Sequence, residues 1–294
     1  MTTATLPLSL RSAFPAVDRR AVAPLVTTAL AFVIVFAQPM AKLARDWWVE
    51  PDAGHGLLLA PLAVYLAWKS GIVPNATGQR ALGFAILVVS MLLRYGGGLA
   101  SELFTIRASL VGTILGLTIY WLGLRQIRHS WLAISLMILA IPLPVVVLSS
   151  IAFPLQLQAS RMGAALLEWR HIPVLLAGNV IHLPGRTLFV TEACSGLRSL
   201  AALLSLGVLI GGLWLRYPVS RLFLVLMALP VAMLLNGIRV FLTGFLVYFV
   251  DPKLGEGFMH LTEGWIIFVV AFGFLGGIAW ALQQSERLVA RRAA

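Results

Sequence analysis

Long apolar runs, each bounded by polar or basic residues, recur along the chain from Ala21 to Leu282. Runs close to the roughly 20 residues that an α-helix needs to cross a bilayer fall at 21–41, 55–69, 81–99, 103–124, 131–150, 195–215, 221–250 and 261–283. The second is short and the seventh is too long for one straight span. The pattern predicts an all-α polytopic membrane protein with about eight transmembrane helices, forming a single domain over 1–294. A secretory signal peptide would instead give one short apolar run near the start.

Two stretches between the runs have their own periodicity. Residues 152–169 mix Gln156, Gln158, Arg161 and Glu168 with apolar positions at helical spacing, which reads as a helix lying in the membrane interface. Residues 179–183 and 186–190 are short strand-like runs on either side of Pro184 and Gly185, a turn dipeptide, and predict a β-hairpin. The hairpin delivers the chain to Cys194, just before the next apolar run.

Composition strengthens the membrane reading. Of 294 residues 60% are hydrophobic and only 11% charged, against roughly 25% charged in a soluble domain. A net charge of +11 would suit a nucleic-acid partner, but the basic residues sort by loop and form no basic stripe with interleaved aromatics. One set of connections holds Arg11, Arg19, Arg20, Lys69, Arg80, Arg125, Arg128, Arg216, Arg221, Arg287, Arg291 and Arg292, with only Asp18 and Glu286 as acids. An excess of Lys and Arg marks the cytoplasmic side, so both termini are expected there. The opposite face then carries the other acids, the hairpin, and every histidine except His129.

Arg94, Arg107, Arg198 and Arg239 fall within or at the edge of apolar runs, where each costs roughly 2.5 to 3.5 kcal/mol at a helix centre. Arg94 and Arg107 are accounted for by snorkelling or by packing against Glu102. Arg198 lies four residues after Cys194, on the same face of a helix beginning near the cysteine. Cys194 is the single cysteine, so it is either a packing residue or a reactive thiol. A helix N-terminus and nearby cations depress a thiol from about 8.5 toward roughly 3.5 to 7.5, and both are expected here. Asn236 and Arg239, three apart, share a face of the seventh run, where Pro230 and Gly237 permit a break. His260 opens the last run, with Glu256 and Glu263 within a turn. Cys194, Arg239 and His260 thus mark the outer ends of three segments, as a thiol nucleophile with a base and an electrostatic stabiliser requires.

The run Thr191-Glu192-Ala193-Cys194-Ser195-Gly196-Leu197-Arg198-Ser199-Leu200, followed by Asn236-Gly237-Ile238-Arg239 and then His260, resembles the exosortase/archaeosortase family. The resemblance extends to Gly54-His55-Gly56, to Ile141-Pro142-Leu143-Pro144 and to Pro154-Leu155-Gln156, and so runs through most of the chain. It implies a polytopic cysteine peptidase or transpeptidase of the cytoplasmic membrane. The substrates implied are proteins ending in a Pro-Glu-Pro motif, a transmembrane helix and a basic tail. Cys194, Arg239 and His260 match the family's catalytic Cys, Arg and His. Some archaeal relatives have Arg in place of the His, which favours the bacterial branch, and the soluble C-terminal extension of some members is not expected here.

On this reading the Cys194 thiolate forms a thioester, His260 protonates the leaving amine, and Arg239 stabilises the oxyanion or the thiolate. Arg198, Asn236, Glu192 and His55 are supporting or substrate-binding candidates. Lipid and the substrate proteins are the expected partners, with no nucleic acid, cofactor or metal. The rival is a transporter or channel in which Arg198, Asn236 and Arg239 line a pathway, but no two related halves with paired broken helices are evident. Neither His-Glu-x-x-His nor Gly-x-Ser-x-Gly occurs, which argues against other protease chemistries.

Overall fold

The computed structural model describes residues 19–50, 52–190, 197–251 and 257–293. Ten helices and three strands are found among them. They are α1 (Arg19–Val49), α2 (Gly56–Ser70), α3 (Arg80–Leu99), α4 (Leu103–Leu122), α5 (Leu124–His129), α6 (Trp131–Leu139) and α7 (Val145–Trp169), then β1 (Leu175–Ala177), β2 (Val180–Leu183) and β3 (Arg186–Phe189), then α8 (Leu197–Trp214), α9 (Pro218–Phe249) and α10 (Gly257–Ala293). The chain divides into one unit ending at Leu43 and a larger one from Ala44 onward. In the first, α1 carries Pro24 and Pro39, and the Thr28 hydroxyl donates to the Pro24 carbonyl at 2.7 Å.

Five described helical stretches are long and apolar enough to cross a membrane: Ala23–Val49, Arg80–Leu99, Leu103–Leu122, Pro218–Phe249 and Ile266–Arg291. Gly56–Ser70 and Leu200–Trp214 are apolar but shorter. The expected eight spans are not confirmed among the described residues. The fifth, 131–150, is not one helix, because α6 stops at Leu139 and α7 starts after Pro144. Pro142 and Pro144 explain the break: neither has an amide hydrogen to donate, and each disfavours helical backbone in the residue before it.

The expected interfacial helix at 152–169 is also revised, since those residues continue α7, which runs parallel to α9 and packs along it. Small residues make the approach possible. A Cβ on Gly163 would lie 2.4 Å from Val240 Cγ1, one on Gly237 2.7 Å from Met162 Cβ, and one on Gly244 2.9 Å from Leu167 Cδ1. Gly237 is thus a packing position, and α9 is continuous past both it and Pro230.

The α3–α4 pair is held by Gly83, Gly97 and Gly116, whose missing side chains admit Tyr120, Ile106 and Leu87. Glu102 caps α4, accepting from the Phe104 amide at 3.0 Å and the Thr105 amide at 2.6 Å. The interactions with Thr105 hold its carboxyl below the usual range. Arg107, buried, ion-pairs with Asp46, and its charge also acts on Glu102.

The hairpin is present, enlarged by one strand. β1, β2 and β3 form an antiparallel sheet with Leu176 opposite Ile181 and Ile181 opposite Leu188. Its turns use Gly178 and Gly185 at φ of 64° and 71°, a left-handed backbone that glycine adopts without a Cβ penalty. Ile181, Leu183 and Val190 bury against Ala159 and Leu167 of α7 and Val240 of α9.

Candidate active site

Three helices carry most of the residues singled out by sequence. Leu200 and Leu203 of α8, Ala228, Ala232 and Leu235 of α9, and Ala271, Leu275 and Ala279 of α10 form one buried cluster. α8 runs antiparallel to α9: a Cβ on Gly207 would lie 3.4 Å from the Val225 Cα, and one on Gly211 3.6 Å from the Arg221 Cα. At that same end the Glu286 carboxylate of α10 accepts from the amides of Arg216 at 2.9 Å and Tyr217 at 3.1 Å. Arg221 also stacks on Trp131, 4.9 Å from the ring centre.

This geometry sends the start of α8, the Asn236–Arg239 turn of α9 and the start of α10 to the other end. Arg239 is eighteen residues beyond Arg221, or about 27 Å along the helix axis. That is close to the roughly 30 Å thickness of a bilayer's hydrocarbon core. Asn236 is buried, and the Arg239 carbonyl accepts from the Thr243 hydroxyl at 3.0 Å. Cys194 and Glu192 lie outside the described residues. Arg198 and His260 are in the first turns of α8 and α10, and their side chains are outside the description.

The sheet holds the chain as far as Val190. The Val190 amide donates to the Asn179 carbonyl at 2.9 Å, and the Asn179 carboxamide donates to the Val190 carbonyl at 3.0 Å. Val190 is only 2% exposed, so the chain is anchored four residues before Cys194 and again where α8 begins. The Arg186 guanidinium, one of the residues sequence reasoning passed over, donates to the Val247 carbonyl and ties the hairpin to the end of α9. His182 is exposed and pairs with the Thr187 hydroxyl at 3.3 Å.

Beside Asn236 lies a small recess between α7, α8 and α9, lined by Leu155, Gln158, Ala159, Leu200, Leu229, Ala232 and Met233 together with Asn236. Gln158 was legible only as one polar residue of an interfacial helix. Its approach to Asn236 depends on α7 packing lengthwise on α9, which no local pattern signals.

His55 is held elsewhere. As the residue preceding α2, it bonds through Nε2 to the Leu139 carbonyl of α6 at 3.1 Å, and it does not line the recess. Because a carbonyl only accepts, Nε2 carries the proton. Burial pushes its pKa below the ordinary value, against the opposing effect of hydrogen bonds to Leu139 and Asp52. Trp47 Nε1 donates to the next carbonyl, Ala140, at 2.8 Å. Among the described residues no group of three His, Cys, Asp or Glu side chains could hold a metal ion.

Comparison with known proteins decides the family, because the family model described as transmembrane exosortase matches residues 47–277. The chain belongs to the transmembrane exosortase family. The match starts at Trp47 and ends within α10, so it takes in the end of α1, every element from α2 through α9 and the first part of α10. Neither the search of curated proteins nor that of solved structures returned a match. Family membership and the five long apolar helices together make this a multi-pass membrane protein.

Proposed function

We propose that this exosortase-family protein is a membrane-embedded cysteine peptidase or transpeptidase that shortens proteins bearing a C-terminal Pro-Glu-Pro motif, apolar helix and basic tail. The supporting observation is the antiparallel packing of α8, α9 and α10, which brings the segment after Cys194, the turn bearing Arg239 and the turn bearing His260 to one end. The Cys194 sulfur attacks the scissile carbonyl carbon, the C–N bond breaks, and the His260 imidazolium gives its proton to the departing amine. The guanidinium of Arg239 stabilises the negative charge that develops on the carbonyl oxygen. Water or an amine then attacks the thioester and the thiolate leaves. The protein resides in a bacterial cytoplasmic membrane with both termini inside, and the reaction occurs on the periplasmic face, where the basic-loop asymmetry puts this end of the helices.

An immunoblot of a tagged substrate tests the proposal. Cys194→Ala, Arg239→Ala and His260→Ala should each leave the protein at normal abundance and abolish substrate shortening. Undiminished shortening in the Cys194→Ala strain would overturn it.

A further inference from the structure

β3 lies lengthwise on the last turns of α9, with Arg186, Leu188 and Val190 at alternate positions facing the helix and Thr187 and Phe189 exposed. The Arg186 guanidinium donates to the Val247 carbonyl. A Cβ on Gly244 would lie 3.6 Å from Leu188 Cδ2, and Val190 shares a buried cluster with Val240. Four residues along the strand, about 13 Å, thus correspond to seven residues back along α9, about 10 Å. The strand heads toward Arg239, which is next to Val240 in α9. Cys194 follows Val190 by four residues, a reach of at most about 14 Å.

Of these contacts the polar one is specific for a single atom. The amides of Val250 and Asp251 both go to the Leu246 carbonyl, so the Asp251 amide does not take the Val247 carbonyl that it would reach in a continuing helix. Arg186 donates to one of the carbonyls that a helix end leaves to outside partners, at the terminus where the helix dipole favours a cation.

We propose that Arg186 is a positioning residue for the cysteine: its bond to Val247 sets how far the strand advances along α9, and so brings Cys194 to the level of Arg239. The inference rests on the peptidase reading. Arg186 grips α9 eight residues beyond Arg239, about 12 Å along the axis, so it acts through the strand and not on the reacting atoms. A slip of one residue would move the following segment by about 3.3 Å and turn its side chains to the other face.

Alkylation of Cys194 by N-ethylmaleimide, followed over pH in the purified full-length protein without substrate, tests this. The charged groups that the sequence gathers at this end are Arg198, Arg239 and His260 with Glu192, Glu256 and Glu263, and of these only Arg239 stands on the helix that Arg186 grips. Arg186→Gln should raise the pH of half-maximal alkylation by about one pH unit, the lower end of the roughly 1 to 3 that an adjacent opposite charge supplies. It should also slow shortening of a Pro-Glu-Pro fusion in liposomes by about tenfold, the thiolate lost over one unit. Arg186→Lys keeps a donor for the carbonyl and should restore most of both. In an Arg239→Ala background Arg186→Gln should add no further shift, because the charge toward which it positions the thiol has gone. Leu188→Ala loosens the same strand and should shift the midpoint in the same direction, which keeps the test open if Arg186→Gln does not accumulate; Thr187→Ala, on the exposed face, should not. A shift that persists without Arg239 would mean that Arg186 acts through its own charge and would overturn the proposal. So would an unmoved midpoint in Arg186→Gln or Leu188→Ala, and with normal shortening that result would leave the peptidase reading intact. If the unmodified protein fails to shorten the fusion while the midpoint shifts as stated, the peptidase reading falls and the positioning of the thiol stands.

Discussion

The Nε2–H of His55 points at the carbonyl of Leu139, 3.1 Å away, where α6 ends. Two motifs far apart in sequence thereby explain each other. Pro142 and Pro144 break the helical run, and the carbonyls left without intrahelical partners at Leu139 and Ala140 would be costly to bury unmet. His55 and Trp47, 84 and 93 residues earlier, each supply one donor. His55, a supporting or substrate-binding candidate in sequence, meets a carbonyl at the break between α6 and α7.

Stability should therefore depend on pH through His55. Burial holds its pKa below the ordinary 6.5, so below that value the unfolded chain takes up a proton that the folded chain refuses. This contribution is complete above about pH 6.5 and is lost as the pH falls toward the depressed native value. Thermal unfolding of the detergent-purified protein from pH 8 to 5 should show the loss. His55→Gln should flatten that part of the profile and lower stability by about 1 to 3 kcal/mol for the carbonyl left unmet. An unchanged profile in the variant would assign the dependence to another group.

Arg107 should be structural. It is 7% exposed and its ion-pair partner is Asp46, at the end of α1. The Asp46 side chain is 30% exposed, so removing Arg107 leaves a partly solvated carboxylate and costs about 1 to 3 kcal/mol. Arg107→Leu should therefore lower the melting temperature, and Arg107→Leu with Asp46→Leu should restore much of it. A double variant no better than the single would show that Arg107 acts through something other than Asp46.

The contrast between Arg107 and Gln158 shows what the sequence could carry. Apolar run length placed α3, α4, α9 and α10 within a few residues, because crossing lipid requires continuous helix and leaves little freedom. The turn residues Pro184 and Gly185 marked the hairpin for a similar local reason. What failed was non-local. Arg107 has an acid five residues away and another sixty-one away, and only the tertiary fold selects Asp46. Gln156, Gln158 and Arg161 signalled an interfacial helix because nothing nearby reveals that Gly163, Gly237 and Gly244 let α7 lie against α9. β1 was missed because Leu175–Ala177 is three residues long and becomes a strand only by pairing with β2.

The Gly163 contact should be sensitive to a single methyl group. Val240 Cγ1, Val240 Cβ and the Phe241 amide nitrogen are 2.4 Å, 2.9 Å and 3.3 Å from where a Cβ would sit. Valine rotation can move the Cγ1 but not the Cβ or the backbone nitrogen, which give way only if the helices shift apart. Gly163→Ala should therefore cost about 1 to 3 kcal/mol. Gly273→Ala, at a position with nothing within 4 Å of the added carbon, should be neutral. Equal effects of the two substitutions on melting temperature would contradict the close α7–α9 approach.

The side on which Cys194 is reached needs no substrate to determine. It is the only cysteine in the chain, so a membrane-impermeant maleimide reports a single site. Val190 anchors the preceding segment to Asn179, and α8 runs from Leu197 toward Arg216 and Arg221, residues of the basic, cytoplasmic set. The proposed orientation puts Cys194 at the opposite face. In cells with a permeabilised outer membrane, labelling should therefore occur without opening the inner one. Attack requires thiolate, so the rate should rise as the medium is made alkaline, and under the proposed mechanism it should fall at fixed neutral pH when Arg239→Ala removes the positive charge assigned to the site. Labelling only after the inner membrane is opened would reverse the proposed topology. No labelling from either side would mean a sealed, structural thiol and would count against the peptidase.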